Sequence, residues 1–130
     1  MGERIERELV TIQPSDDEIF SAFILFSPKG IPQDQTLLAL GVKAAAAVAP
    51  FLFRFIDAET GDLTEETRDL IVKLQESVFR SQNGVFEIDP SEEQAVTSST
   101  RMYFTTAGIK KLKEAAGVAQ EVWSQGSRPQ

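Results

Sequence analysis

The chain contains neither cysteine nor histidine. Without cysteine there are no disulfides, no thiolate metal sites and no thiol nucleophile, and the redox state of the compartment leaves no mark on the sequence. Without histidine, Ser-His-Asp and Cys-His triads, imidazole metal ligands and the usual near-neutral base are all impossible within one chain. Carboxylates, lysines and hydroxyls are what remains for chemistry. Neither standard Gly-rich phosphate loop occurs. Positive charge is also scarce, with 13 Lys and Arg against 20 Asp and Glu, for a net charge of −7. Such a balance repels nucleic acid and anionic lipid unless the cations are segregated. Residues 1–63 hold five cations against ten anions, and residues 64–130 hold eight against ten, so a basic face has to be sought in the second half.

What is present is an ordinary globular composition, with hydrophobic residues at 42% and charged residues at 25%. A length of 130 residues fits one domain with a single core and no need of staples. The start "MGERIERELV" lacks the basic opening and apolar core of a secretory signal, which sets a cytoplasmic location as the expectation. Its Met1-Gly2 also suggests myristoylation, but Glu6 stands where that motif needs Ser or Thr.

Read along the chain, Ser15 and Glu18 have capping-box spacing ahead of Ile19, Phe20, Phe23 and Ile24, which share a helical face. A helix is favoured there over a buried strand, and Pro28 and Gly30 end it. Pro32 and the strong helix formers from Leu37 to Val48 predict a second helix, stopped or kinked near Pro50. "FLFRF" before the "DAETGD" turn reads equally as a short strand or as helix continuing past a kink. A third helix is expected over 64–82, starting at Asp62 or Thr64, carrying Leu70, Ile71, Leu74 and Val78, and closed by "SQNG". Alternation in "VFEI" predicts a strand at 85–88, followed by a polar loop over 89–98 and a second strand at 100–104. Thr105 or Thr106 then caps a last helix with Ile109, Leu112 and Ala116 on one face, and residues 124–130 read as a frayed tail beyond a domain spanning 1–123.

The apolar stretch 37–55 is interrupted only by Lys43 and Arg54. Its core of seventeen residues from Leu37 to Phe53 lies at the lower limit for a membrane span. Lys43 falls mid-span, where a charge costs about 2.5–3.5 kcal/mol, and no basic cluster flanks the segment, so a soluble core helix is the expectation. A helix this apolar needs cover on most faces. Two readings stand: burial against a second copy of the protein, or the centre of a monomeric bundle.

Several groups invite a chemical reading. Asp16, Asp17 and Glu18, and Glu92 with Glu93, have the charge for Mg²⁺ binding or acid–base work, but they sit where solvated helix-start and loop charges belong. Asp57, Glu59 and Asp62 resemble a calcium loop only in part: Gly61 stands at position 5 rather than 6, and Arg68 replaces the closing glutamate. No cofactor or metal is expected. The C-terminal third carries one resemblance. A helix, a strand, a polar loop, and a strand ending in Tyr103-Phe104 before Thr105-Thr106-Ala107-Gly108 and Leu112 resemble the back half of a winged-helix domain. That resemblance implies a recognition helix at 64–82, a wing at 89–98 and a last helix used for dimerisation. It also implies phosphate contacts from Arg68, Lys73, Arg80 and Arg101, with Lys110, Lys111 and Lys113 left as a solvated helix face. The acidic start of that helix, "TEETRD", and Glu92 and Glu93 in the loop oppose DNA contact.

The sequence therefore predicts an α+β, mainly helical domain of about four helices plus a C-terminal β-hairpin, winged-helix-like in its second half. Its expected role is a non-catalytic protein-protein interaction or regulatory module, self-associating as a homodimer and without a membrane segment. Phe51, Phe53 and Phe55 would anchor a partner where exposed, and otherwise belong to the core. The alternative is a winged-helix DNA-binding transcriptional regulator.

Overall fold

A computed structural model describes residues 7–126, in an α+β arrangement of five α-helices, one 3-10 helix and a small antiparallel sheet. Met1, Gly2 and Glu6, on which the myristoylation and signal readings rest, and residues 127–130 of the expected tail lie outside the described residues. The capping box at Ser15 forms as its spacing requires: Ser15 Oγ accepts the Glu18 N–H at 3.4 Å and Glu18 Oε1 accepts the Ser15 N–H at 3.0 Å. It opens α1 (Asp16–Leu25), in which all six residues from Ile19 to Ile24 are buried. A helix of ten residues buried on this many sides must be enclosed by the rest of the chain.

That enclosure is aromatic. Phe20 meets Phe55 edge-on at 5.1 Å and lies 6.4 Å from Phe79, while Phe23 meets Trp123 edge-on at 6.1 Å. Fully burying one such side chain stabilises a fold by roughly 1.5–3 kcal/mol. The sheet contributes a further wall. Strand β1 (Ile31–Pro32) pairs with β3 (Val85–Ile88), which pairs with β2 (Phe79–Gln82), giving the order β1-β3-β2.

The hairpin corrects the sequence reading. The expected third helix stops at Ser77 as α3 (Glu65–Ser77), capped by Thr64 Oγ1 on the Thr67 N–H at 3.1 Å, and Phe79–Gln82 is a strand rather than its last turn. "SQNG" does not close a helix. Asn83 and Gly84 both have positive φ, 53° and 80°, the two-residue turn whose twist suits a hairpin. The loop expected at 89–98 and the strand expected at 100–104 are replaced by one helix, α4 (Glu93–Tyr103), which packs on α1 through Val96 and Thr100. Its serines and threonines are weak helix formers, and this tertiary contact outweighs their local preference.

The apolar stretch divides in two. Helix α2 (Gln35–Ala46) ends before Pro50, and Pro50–Phe55 is a 3-10 helix, neither of the two forms expected for it. Ile56 then bridges to Leu63 across the "DAETGD" turn. No described helix is long and apolar enough to cross a membrane. The last helix, α5 (Thr106–Gly126), is capped by Thr105 Oγ1 on the Gly108 N–H at 3.1 Å. It continues through residues 124–126, which the sequence assigns to the tail. It lies along α2, and there Gly41 permits the close approach: a side-chain carbon at that position would overlap the Trp123 indole. The indole Nε1 donates to the Leu37 carbonyl at 3.1 Å.

Gly41→Ala should therefore destabilise the protein by ~1–3 kcal/mol through overpacking. Gly117→Ala, on the open side of α5 with nothing within 4 Å of an added carbon, should raise stability by up to about 1 kcal/mol. Urea unfolding followed by fluorescence of the single tryptophan measures both.

Candidate contact surface and the disposition of charge

The three candidate phenylalanines do not act together. The 3-10 helix turns Phe51 and Phe55 inward with Leu52, the two phenylalanines 5% and 1% exposed and Phe51 6.4 Å from Phe104. Phe53 points out and is 46% exposed. It lines a shallow depression with Lys43 and the turn residues Asp57, Glu59 and Gly61. Lys43 belongs to the outward stripe of α2, one turn after Leu40, which is itself 53% exposed. Ala44 and Ala47 continue the stripe, half-buried and exposed. The opposite face of α2, including Leu38, Val42, Ala45 and Ala46, is fully covered within the chain.

The four cations named for phosphate contact are scattered over three elements. Arg68 and Lys73 lie on α3, Arg80 on β2 and Arg101 on α4. Three of them already serve acceptors of the same chain. Arg68 Nη1 donates to the Leu63 carbonyl at 3.1 Å, Lys73 Nζ to Asp17 Oδ2 at 2.8 Å, and Arg80 lies 3.6 Å from Glu87. Arg101 is exposed and makes no ion pair among the described residues. Around Arg68 and Lys73, α3 also exposes Glu65, Glu66, Asp69 and Glu76. Of the three lysines of α5, Lys113 covers the Phe26 ring at 5.4 Å.

Of the acidic groups, Asp16, Asp17, Glu18 and Asp57 are engaged locally. Asp16 accepts from Arg54 Nη1 at 2.7 Å, Asp17 from Lys73, and Glu18 closes the capping box. Asp57 Oδ1 accepts the N–H groups of Glu59 and Thr60 at 2.8 and 3.2 Å, shaping the turn rather than presenting a ligand. No three carboxylates gather at metal-holding distance among the described residues. Glu92 and Glu93 lie at the start of α4, not in a loop.

Among the described residues, two groups titrate away from their ordinary ranges. The hydrogen bond from Lys73 to Asp17, together with the charge of that carboxylate, raises the lysine pKa. Its stabilising contribution is complete below the ordinary lysine value and is lost as pH rises through the raised one. Asp89 is lowered, first by the Ser91 N–H and then by the Ser91 hydroxyl, which donate to Oδ1 at 3.0 and 2.8 Å. Its contribution is present above the ordinary aspartate value and is lost as pH falls through the lowered one. The turn they form leads into α4, so the pairing helps fix where that helix starts.

One feature was hidden from sequence reading. Because α4 is a helix, a cleft of about 270 Å³ exists between α1, α3 and α4, into which Ser21, Lys73 and Ser99 project. Comparison with protein-family models, curated proteins and solved structures finds no match to this chain.

Ser91→Ala deletes one of the two donors to Asp89. Carbon-detected NMR titration of the carboxyl groups should show the Asp89 midpoint rising toward the ordinary aspartate range without reaching it. An unchanged midpoint would mean that the hydroxyl contributes nothing.

Proposed function

We propose that this chain is a non-catalytic protein-contact module that pairs with a second copy of itself through the outward stripe of α2 and Phe53. The observation that carries this reading is the placement of Phe53 and Leu40, two large apolar side chains about half exposed, on either side of Lys43. Single exposed apolar residues are normal on a surface, but two that share a neighbour, extended by Ala44 and Ala47, form a patch with an aromatic anchor. Charge supports a second copy as the occupant. Two molecules of net charge −7 repel, and they meet most easily where carboxylates are sparse, at the stripe of α2, with Lys43 beside Asp57 and Glu59 at its rim. Residues 35–56, which make α2 and the 3-10 helix, contain no Asp or Glu, whereas each of the other four α-helices carries at least one.

A second reading, a winged-helix DNA-binding regulator, is supported by the succession α1, β1, α2, α3, β2, β3, here with the 3-10 helix inserted between α2 and α3, and by the sheet order β1-β3-β2, which winged-helix domains share. In that reading α3 is the recognition helix, and the wing moves from the expected 89–98, which lead into and form α4, to the hairpin over 79–88. It stands second because the exposed side of α3 is net acidic and its two cations already serve partners within the chain. A cytoplasmic location accords with both readings.

Sedimentation equilibrium at about 10⁻⁴ M protein should give a monomer–dimer equilibrium, and Leu40→Asp or Phe53→Asp should weaken the dimer by about tenfold or more. A mass of one chain throughout would defeat the self-association proposal. Anisotropy of a labelled mixed-sequence duplex tests the second reading. Salt-sensitive binding at around 10⁻⁵ M protein would promote it, and no binding would leave the contact module.

A further inference from the structure

We infer that the cleft between α1, α3 and α4 is a binding site for a small aliphatic diamine, held by the carboxylates and by the Ser21 hydroxyl that line it. The cleft shares no residue with the α2 patch, so this proposal does not depend on self-association.

The first observation is Ser21. Four polar residues are buried among the described residues, and three of them are satisfied inside the protein. Ser27 Oγ donates to the Phe23 carbonyl at 3.0 Å, Thr100 Oγ1 to the Val96 carbonyl at 2.8 Å, and Thr67 Oγ1 to the Phe55 carbonyl at 3.3 Å. Ser21, only 9% exposed, has no side-chain partner in the chain and lines the cleft. A hydroxyl in a helix ordinarily turns back to the preceding turn when nothing else serves it, as Ser27, Ser77 and Thr100 do here. The exception is the one that borders the cavity. Ser99, half-buried on the facing helix α4, also lines the cleft without a side-chain partner.

Charge then selects the class of ligand. The lining carries Asp17, Glu18 and Glu92 against a single cation, Lys73, which is already bound to Asp17. The Glu92 carboxylate has no partner among the described residues, and Glu18 uses one oxygen for its capping box. An anion would meet repulsion here, whereas an ammonium group gains charge-assisted hydrogen bonds. A divalent metal is disfavoured because no three carboxylates gather around one point. Negative charge spread along the lining, beside apolar residues that include Leu74 and Val96, suits a ligand with a cationic group at each end and a methylene stem between. Hydroxyls at Ser21 and Ser99 can accept the ammonium N–H groups that the carboxylates leave free.

The test uses the whole chain and diaminobutane, with uncharged butanediol and dianionic succinate as controls, followed through backbone amide shifts by NMR. The expected result is saturable shifts confined to α1, α3 and α4, with Kd around 10⁻³ M or tighter. Glu92→Gln and Ser21→Ala should each weaken binding by about fivefold to tenfold. Ser21→Ala should leave the melting temperature unchanged or raised, because the deleted hydroxyl satisfies nothing in the chain, so folding does not confuse the result. Three outcomes would overturn the proposal. Non-saturating shifts spread over the acidic surface would mean counter-ion condensation, equal binding of butanediol or succinate would refute the charge selection, and no shift would mean a cleft that holds solvent only.

Discussion

The rest of the structure depends on the burial of α1. Ten residues long, it has apolar side chains on nearly every side between Ile19 and Ile24, and a helix of that kind is stable only inside a shell. Each later element supplies part of that shell. Phe55 comes from the 3-10 helix, Phe79 from the hairpin and Trp123 from near the end of α5, while α4 closes another side. Two ion pairs fasten the first turn of α1 to the elements around it, through Arg54 to Asp16 and Lys73 to Asp17. These exposed pairs add little energy individually. Their effect is to fix how the 3-10 helix and α3 are oriented around the apolar centre.

That arrangement explains why α2, the most apolar-looking stretch of the sequence, is not the central helix. Its small residues allow α5 to approach, and the overlap that a side chain at Gly41 would create with Trp123 marks the tightest point. One side of α2 is thereby covered within a single chain. The side left outside is narrow and carries Leu40, Lys43 and Ala47. The apolar surface left uncovered is correspondingly smaller than an all-round apolar helix implies.

The sequence disclosed the elements whose signals are local. Ser15 with Glu18, Thr64 ahead of the periodic residues of α3, and Thr105 ahead of α5 are caps whose hydrogen bonds form between residues three apart, so composition and spacing suffice. The hairpin was legible in principle. Asn83-Gly84 between "FRSQ" and "VFEI" is the strongest short hairpin signal, but the helical periodicity running up to Val78 drew the residues before it into α3. Helix α4 was not legible, since "EQAVTSSTRMY" has only Val96 and Thr100 to bury and takes its form from α1. The same misreading concealed the cleft, and the inward turn of Phe51 and Phe55 could be read only once a 3-10 helix set the pitch. The cations were visible as residues, whereas their engagement by Leu63, Asp17 and Glu87 is a matter of geometry.

The chain also ties its early part to its late part. Val10 bridges to Phe104, Thr105 Oγ1 donates to the Glu8 carbonyl, and the Trp123 indole reaches back to Leu37. On a ribosome, which releases the chain from its N-terminus, α1 emerges long before Trp123. The order of synthesis thus runs opposite to the order of enclosure. Phe23 lacks its Trp123 neighbour until α5 is available, and loop closure over such separations is slow. A nascent chain halted before α5 would display the largely apolar run Ile19 to Ile24 of α1 incompletely covered, a substrate for the chaperones that bind exposed hydrophobic segments.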